Sequence, residues 1–67
     1  MAYSVGQKVV YKALNGTKED ATVIARKIDF KNGVIEIWNA QGNFDYLVTV
    51  EKNGIIEQHF CEEEDIE

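Results

Sequence analysis

Residues 46–60 read YLVTVEKNGIIEQHF, two β-branched and aromatic runs separated by Asn53-Gly54. An Asn-Gly pair favours the positive φ angles of tight hairpin turns, so this stretch predicts two antiparallel strands joined at that pair. The same signal recurs at Asn15-Gly16 and Asn32-Gly33, and Gln41-Gly42-Asn43 offers a fourth turn. Four turns predict five strands.

The strands are predicted near Gln7–Leu14, Ala21–Phe30, Val34–Asn39, Phe44–Glu51 and Ile55–Phe60. No segment of about ten residues combines a helical apolar period with capping residues. The predicted fold is therefore all-β: a five-stranded antiparallel barrel over residues 1–61, with meander connections through Gly-containing tight turns. An acidic C-terminal tail, 62–67, is expected to follow it.

Length and cysteine content limit what the chain can be. A chain of 67 residues supports one core, because a domain this small buries only about 60% of its unfolded surface. Its single cysteine, Cys61, cannot form an intramolecular disulfide. No window approaches the ~20 apolar residues that span a bilayer. We expect a single soluble, cytoplasmic domain with no membrane partner.

Charge is distributed unevenly. Residues 32–67 hold nine acidic residues against Lys52 alone, a net charge of −8, whereas residues 1–31 hold six basic residues against three acidic ones, a net charge of +3. Five of the acids lie in the last six residues, so the rest of the chain is neutral. Such a run is typical of a solvated end, and a docking tail for a basic partner is the alternative.

The register follows from requiring one apolar face on each hairpin, since a one-residue slip inverts every side chain. At the last hairpin a two-residue turn would set Val50 opposite Glu57, whereas a three-residue loop at residues 52–54 sets Val50 opposite Ile56. We therefore predict the three-residue loop there, with two-residue turns at 32–33 and 41–42. The predicted core is Ile24, Ile28, Phe30, Ile35, Ile37, Tyr46, Val48, Val50, Ile56, Phe60, Val9 and Tyr11.

This register places Trp38 and Leu47 together on the outer face of the sheet, beside Lys27. Exposed large aromatic residues are enriched in binding surfaces, which makes these three residues the candidate partner-binding site. The alternative is that the N-terminal segment, through Tyr3 or Val5, covers the spot.

Several segments resemble the SH3-like small β-barrel superfamily, the architecture shared by Tudor, KOW and CAP-Gly domains. Residues 5–11 (VGQKVVY) open the domain, residues 21–24 (ATVI) start the second strand after a longer loop, and residues 34–38 (VIEIW) look like the third strand. Residues 63–66 (EEDI) are similar to the short closing segment of these barrels. The resemblance implies a five-stranded barrel. It carries over no functional residues, because the chain has neither an aromatic cage for methylated lysine nor the KOW glycine pattern.

Catalytic, cofactor and metal motifs are not found in the sequence. His59 and Cys61 would share one face of a strand, but no second pair of ligands completes a four-coordinate site. As a nucleophile, Cys61 has only His59 as a base and no third group to orient it. We expect no enzymatic activity, no cofactor and no metal.

Nucleic-acid binding is the main alternative function. Its candidate residues are on the first two predicted strands and just beyond them: Lys8, Lys12, Arg26, Lys27 and Lys31. The isoelectric point near 4.7 disfavours it, because phosphate binding requires a basic surface. We therefore predict a non-enzymatic interaction module that binds a protein partner or itself, as a homo-oligomer, through the outer face around Trp38 and Leu47 or through an exposed strand edge. A nucleic-acid-associated accessory protein is the alternative.

Overall fold

Four β-strands form one antiparallel sheet in the order β1-β2-β3-β4 in the computed structural model, which describes residues 2–30 and 38–67. Two short 3-10 segments, Lys27–Asp29 and Glu63–Asp65, follow the second and fourth strands. The strands are β1 (Lys8–Lys12), β2 (Lys18–Arg26), β3 (Tyr46–Lys52) and β4 (Ile55–Cys61).

The all-β meander is confirmed, but within the described residues the sheet is not closed and has four strands rather than five. Most of the predicted strand Val34–Asn39 lies outside the described residues, as do Lys31 and the turn predicted at Asn32-Gly33. The described end of that segment turns: the Gln41 N–H donates to the Trp38 carbonyl at 3.0 Å.

The three-residue loop predicted for the last hairpin is wrong. Lys52 pairs with Ile55, which leaves a two-residue turn at Asn53-Gly54 with φ angles of 52° and 79°. Positive φ at both positions matches the twist of the flanking strands, and Asn-Gly is the pair that adopts it most readily. Val50 therefore lies opposite Glu57, and Ile56, predicted in the core, is 66% exposed.

One face of the sheet carries the core. The prediction is confirmed for Val9, Tyr46, Val48 and Val50, and Tyr11 packs against them partly buried. The core also contains residues that were not predicted for it: Tyr3, Ala21, Val23, Cys61 and Ile66.

The face predicted for the second strand is wrong. A bulge between Val23 and Ala25 makes Ile24 an extra residue, so Val23 points into the core and Ile24 is exposed. Ile28, also predicted in the core, lies in the 3-10 segment after β2 and is exposed. The predicted core residues Ile35 and Ile37 lie outside the described residues.

Residues 62–67 differ from the expected solvated tail. Ile66 is 3% exposed and bridges to Tyr11, and the Tyr3 hydroxyl donates to the Ile66 carbonyl at 3.1 Å. Val10 and Glu67 exchange backbone hydrogen bonds of 2.8 and 3.0 Å. The C-terminal segment therefore covers part of the outer edge of β1. No helix within the described ranges has the length and apolar character needed to cross a membrane.

Candidate functional site

Trp38 is buried, so the predicted exposed apolar spot is wrong. Its side chain is 5% exposed, and its indole N–H donates to the Phe44 carbonyl at 2.8 Å. Its ring meets the rings of Phe30 and Phe60 edge-on, with centroids 4.9 and 5.1 Å away. The protein's own chain covers Trp38, as the alternative prediction held, but with these phenylalanines rather than Tyr3 or Val5.

The three predicted partner-binding residues are only partly brought together. Leu47 lies directly opposite Phe60 across β3 and β4, on the same side of the sheet as the aromatic cluster. Phe30 and Phe60, both predicted in the main core, are half-buried in that cluster instead. The Lys27 carbonyl accepts the Phe30 N–H at 3.0 Å, and the Lys27 ammonium donates to the Asn43 side chain at 3.3 Å. The Phe44 ring packs against that of Phe60, with centroids 5.9 Å apart. We define Phe30, Trp38, Phe44 and Phe60 as the outer aromatic cluster.

The basic residues of the alternative site are spread along β1 and β2. Lys8 donates to the Thr22 hydroxyl at 3.0 Å, near the start of β1. Lys12 is exposed at the other end of that strand, next to Lys18. Arg26, at the end of β2, is engaged by Asp29 through bonds of 2.8 and 2.6 Å. Lys31 is outside the described residues.

A cleft of about 660 Å³ lies beside Arg26 and Lys27, between the N-terminal segment and the last 3-10 segment. Several of its polar groups are already engaged within the chain. Asp45 accepts the Glu63 backbone N–H at 3.2 Å, and Glu63 accepts the Tyr46 hydroxyl at 3.3 Å. The side chains of Asp45, Tyr46 and Glu63 therefore bond within the chain rather than to a ligand.

The outer edge of β4 is the most accessible candidate. In an antiparallel ladder, backbone groups alternate between those that face the partner strand and those that face away. The pair that flanks a two-residue turn is hydrogen-bonded, so Lys52 with Ile55 sets the alternation. The N–H and C=O groups of Ile56, Gln58 and Phe60 consequently point away from β3. No strand among residues 2–30 and 38–67 pairs with them.

Side chains along this edge leave it unprotected. Ile55 and Ile56 are 65% and 66% exposed. Edge strands are usually blunted by charged side chains, proline or bulges. Ile55–Cys61 contains one carboxylate, Glu57, but no lysine or proline, and it pairs with β3 without a register shift. Two adjacent isoleucines follow the Asn-Gly turn directly, and the rest of the strand contains no lysine or proline. This was the sequence signal that could have identified the strand as the edge.

The concave side of β4 carries a polar rim. The His59 ring stacks on Tyr11 of β1, with centroids 5.1 Å apart and planes 19° apart, and its Nε2 is 3.4 Å from Glu57. Lys52 and Glu19 form an ion pair, and hydrogen bonding to Glu19 raises the pKa of Lys52. The Tyr11–His59 contact brings the two outer strands close together on this side, so the sheet is strongly curled.

Cys61 lies beneath this rim and is 1% exposed. Burial, with smaller contributions from Asp65 and Asp45, raises its pKa to about 12. At neutral pH it is a protonated, shielded thiol, and thiolate is the nucleophilic form. Among the described residues no three His, Cys, Asp or Glu side chains converge as a metal site requires.

Backbone pairing with another extended chain is what this geometry can do, through the β4 edge and the exposed isoleucines beside it. No protein-family model, curated protein or solved structure matches the chain.

The burial of Trp38, the only tryptophan, predicts a blue-shifted emission that a neutral quencher such as acrylamide reaches poorly at every protein concentration. Replacing Phe44 by Ala should open the outer aromatic cluster, shift the emission to the red and increase quenching. Gln41→Ala, a change at an exposed neighbour, is the control and should leave the spectrum unchanged. Fully quenchable emission from the unaltered protein would contradict the placement of Trp38.

The raised pKa of Cys61 predicts that stability falls with pH above about 9. An unfolded thiol loses its proton near its ordinary pKa of 9.0, whereas folded Cys61 keeps its proton up to about 12, so deprotonation favours the unfolded chain in that window. The free energy of unfolding should decrease by at most ~1.4 kcal/mol per pH unit there. Chemical denaturation at several pH values measures it. Cys61→Ala removes the contribution of the thiol to this decrease. If the free energy of unfolding falls equally with pH in both proteins, the assignment to Cys61 is contradicted.

Proposed function

We propose that this chain is a small, non-enzymatic interaction module that binds an extended protein segment, from another protein or from a second copy, along the β4 edge. The observation that carries the proposal is the outward backbone of Ile56, Gln58 and Phe60, with which no strand in residues 2–30 and 38–67 pairs, beside two exposed isoleucines. An added strand would satisfy these N–H and C=O groups and cover apolar surface in the same step.

The outer face still contributes, in a different way from that predicted. Side chains of Ile56, Gln58 and Phe60 project to the same side as Leu47, because directly opposite residues share a face. The Trp38 ring packs edge-on against Phe60, so Phe60 offers a supported apolar surface next to the edge. A partner strand with apolar residues at alternate positions would extend this surface.

The SH3-like architecture is part of the proposal. After β4, the Glu63–Asp65 3-10 segment leads to Ile66, which bridges to Tyr11 of β1. That order of elements, together with the curl seen in the Tyr11–His59 stack, supports a barrel-like arrangement.

Nucleic-acid binding stays a prediction, and the geometry favours it less. Lys18 pairs with Glu67 at 2.9 Å, and Arg26 is held by Asp29. Phosphate contacts would have to compete with these carboxylates, and weak binding of this kind decreases steeply with salt.

Selection from a phage-displayed library of random peptides tests strand addition although the partner is unidentified. Gln58→Pro removes an N–H that points away from β3, so the β3–β4 hydrogen bonds should stay intact. The dissociation constants of the selected peptides should rise about tenfold. Gln58→Ala keeps the N–H and should bind them nearly as well as the unaltered protein. The dissociation constants follow from titration calorimetry, with circular dichroism as the check on folding.

Two results would overturn the proposal: a library that yields no binding peptide, or selected peptides that bind the Gln58→Pro variant as tightly as the unaltered protein.

A further inference from the structure

The structure assigns a specific occupant to the β4 edge: the same strand of a second copy, paired antiparallel about a two-fold axis at Gln58. This inference rests on the proposed function, since it requires that the edge accept a strand. A two-fold contact uses the same surface on both molecules and closes on itself, so it yields a dimer rather than a fibre.

The outward backbone groups match in this register. Antiparallel strands exchange both hydrogen bonds between residues whose N–H and C=O groups face each other. With Gln58 opposite Gln58 of the second copy, Ile56 falls opposite Phe60 of the second copy. All three residues have their backbone groups on the side of β4 that faces away from β3, so every pair meets the donor and acceptor it needs.

Side chains also match on both faces. On the outer face, Ile56 meets Phe60 of the second copy, which joins the exposed isoleucine to the outer aromatic cluster. On the concave face, Glu57 meets His59 of the second copy, and the same pair recurs across the axis. Hydrogen-bonding and apolar cross-strand pairs stabilise a sheet, and the sequence Ile-Glu-Gln-His-Phe supplies both kinds when it faces itself.

Neighbouring registers lose this match. Centring the axis on Glu57 would set its carboxylate directly opposite the same carboxylate of the second copy. Centring it on His59 would set Ile56 opposite Glu62. Like charges directly opposite each other destabilise paired strands, and a carboxylate against an isoleucine gains nothing from burial. Complementarity therefore selects the axis at Gln58.

The axis residue provides a sharp test, because Gln58 lies opposite the same residue of the second copy. Gln58→Lys and Gln58→Glu each set like charges opposite each other, and each should raise the dimer dissociation constant several-fold. An equimolar mixture of the two variants sets a lysine opposite a glutamate and should form a heterodimer more readily than either variant dimerises alone. Sedimentation velocity over a concentration series measures the dissociation constants, and native mass spectrometry identifies the heterodimer.

Gln41→Lys and Gln41→Glu make the same changes at an exposed glutamine outside the sheet and serve as the matched pair. They should dimerise like the unaltered protein and show no preference for each other when mixed.

Self-pairing is overturned if the unaltered protein stays monomeric up to millimolar concentration. It is also overturned if neither change at Gln58 alters the dimer dissociation constant, or if the mixture of the two variants does not restore dimerisation. The proposed function fails separately. If the protein is monomeric but the Gln58→Pro variant no longer binds the selected peptides, β4 still binds strands, and its partner is another protein. If the protein is monomeric and the library yields no binding peptide, both the proposed function and the self-pairing are contradicted.

Discussion

The two-residue turn at Asn53-Gly54 is the constraint on which the rest of the structure depends. Because side chains alternate along a strand, this turn determines which residues of β3 and β4 face the core. It places Tyr46, Val48 and Val50 with Cys61, His59 and Glu57 on one side, and Leu47 with Phe60 on the other. It also determines which backbone groups of β4 bond to β3 and which remain outside. The core face of this hairpin, the position of Phe60 in the outer aromatic cluster and the available edge all follow from one turn.

The strand segments could be predicted from β-branched runs and Asn-Gly pairs, and the positions of β1, β2, β3 and β4 agree with that prediction within several residues. The register could not, because the prediction assumed a single apolar layer. The sheet has apolar side chains on both faces, so pairing Val50 with an apolar partner was the wrong criterion. The bulge at Ile24 has no sequence signal of its own, and it reversed the face assigned to Val23.

The same assumption explains why Trp38 was predicted to be exposed. Trp38 was expected to be exposed because it fell outside the only layer considered, whereas Phe30, Phe44 and Phe60 surround it. Once Trp38 is covered, the exposed apolar surface near β4 is that of Ile55 and Ile56, and it lies beside the backbone groups of β4 that point away from β3. The candidate site thus moved from the centre of the outer face to its edge. Only an exposed strand edge in general was predicted, although the two adjacent isoleucines after Asn53-Gly54 are a sequence signal for which strand forms it.

Amide hydrogen exchange along β4, followed by NMR in dilute solution, tests the register most directly. The turn predicts an alternating pattern, with Glu57 and His59 amides protected by β3 and Ile56, Gln58 and Phe60 amides exchanging rapidly. Protection of Ile56 and Phe60 with rapid exchange at Glu57 would instead place the backbone groups of Ile56 and Phe60 against β3. That result would contradict the assignment of the β4 edge on which the proposed function depends.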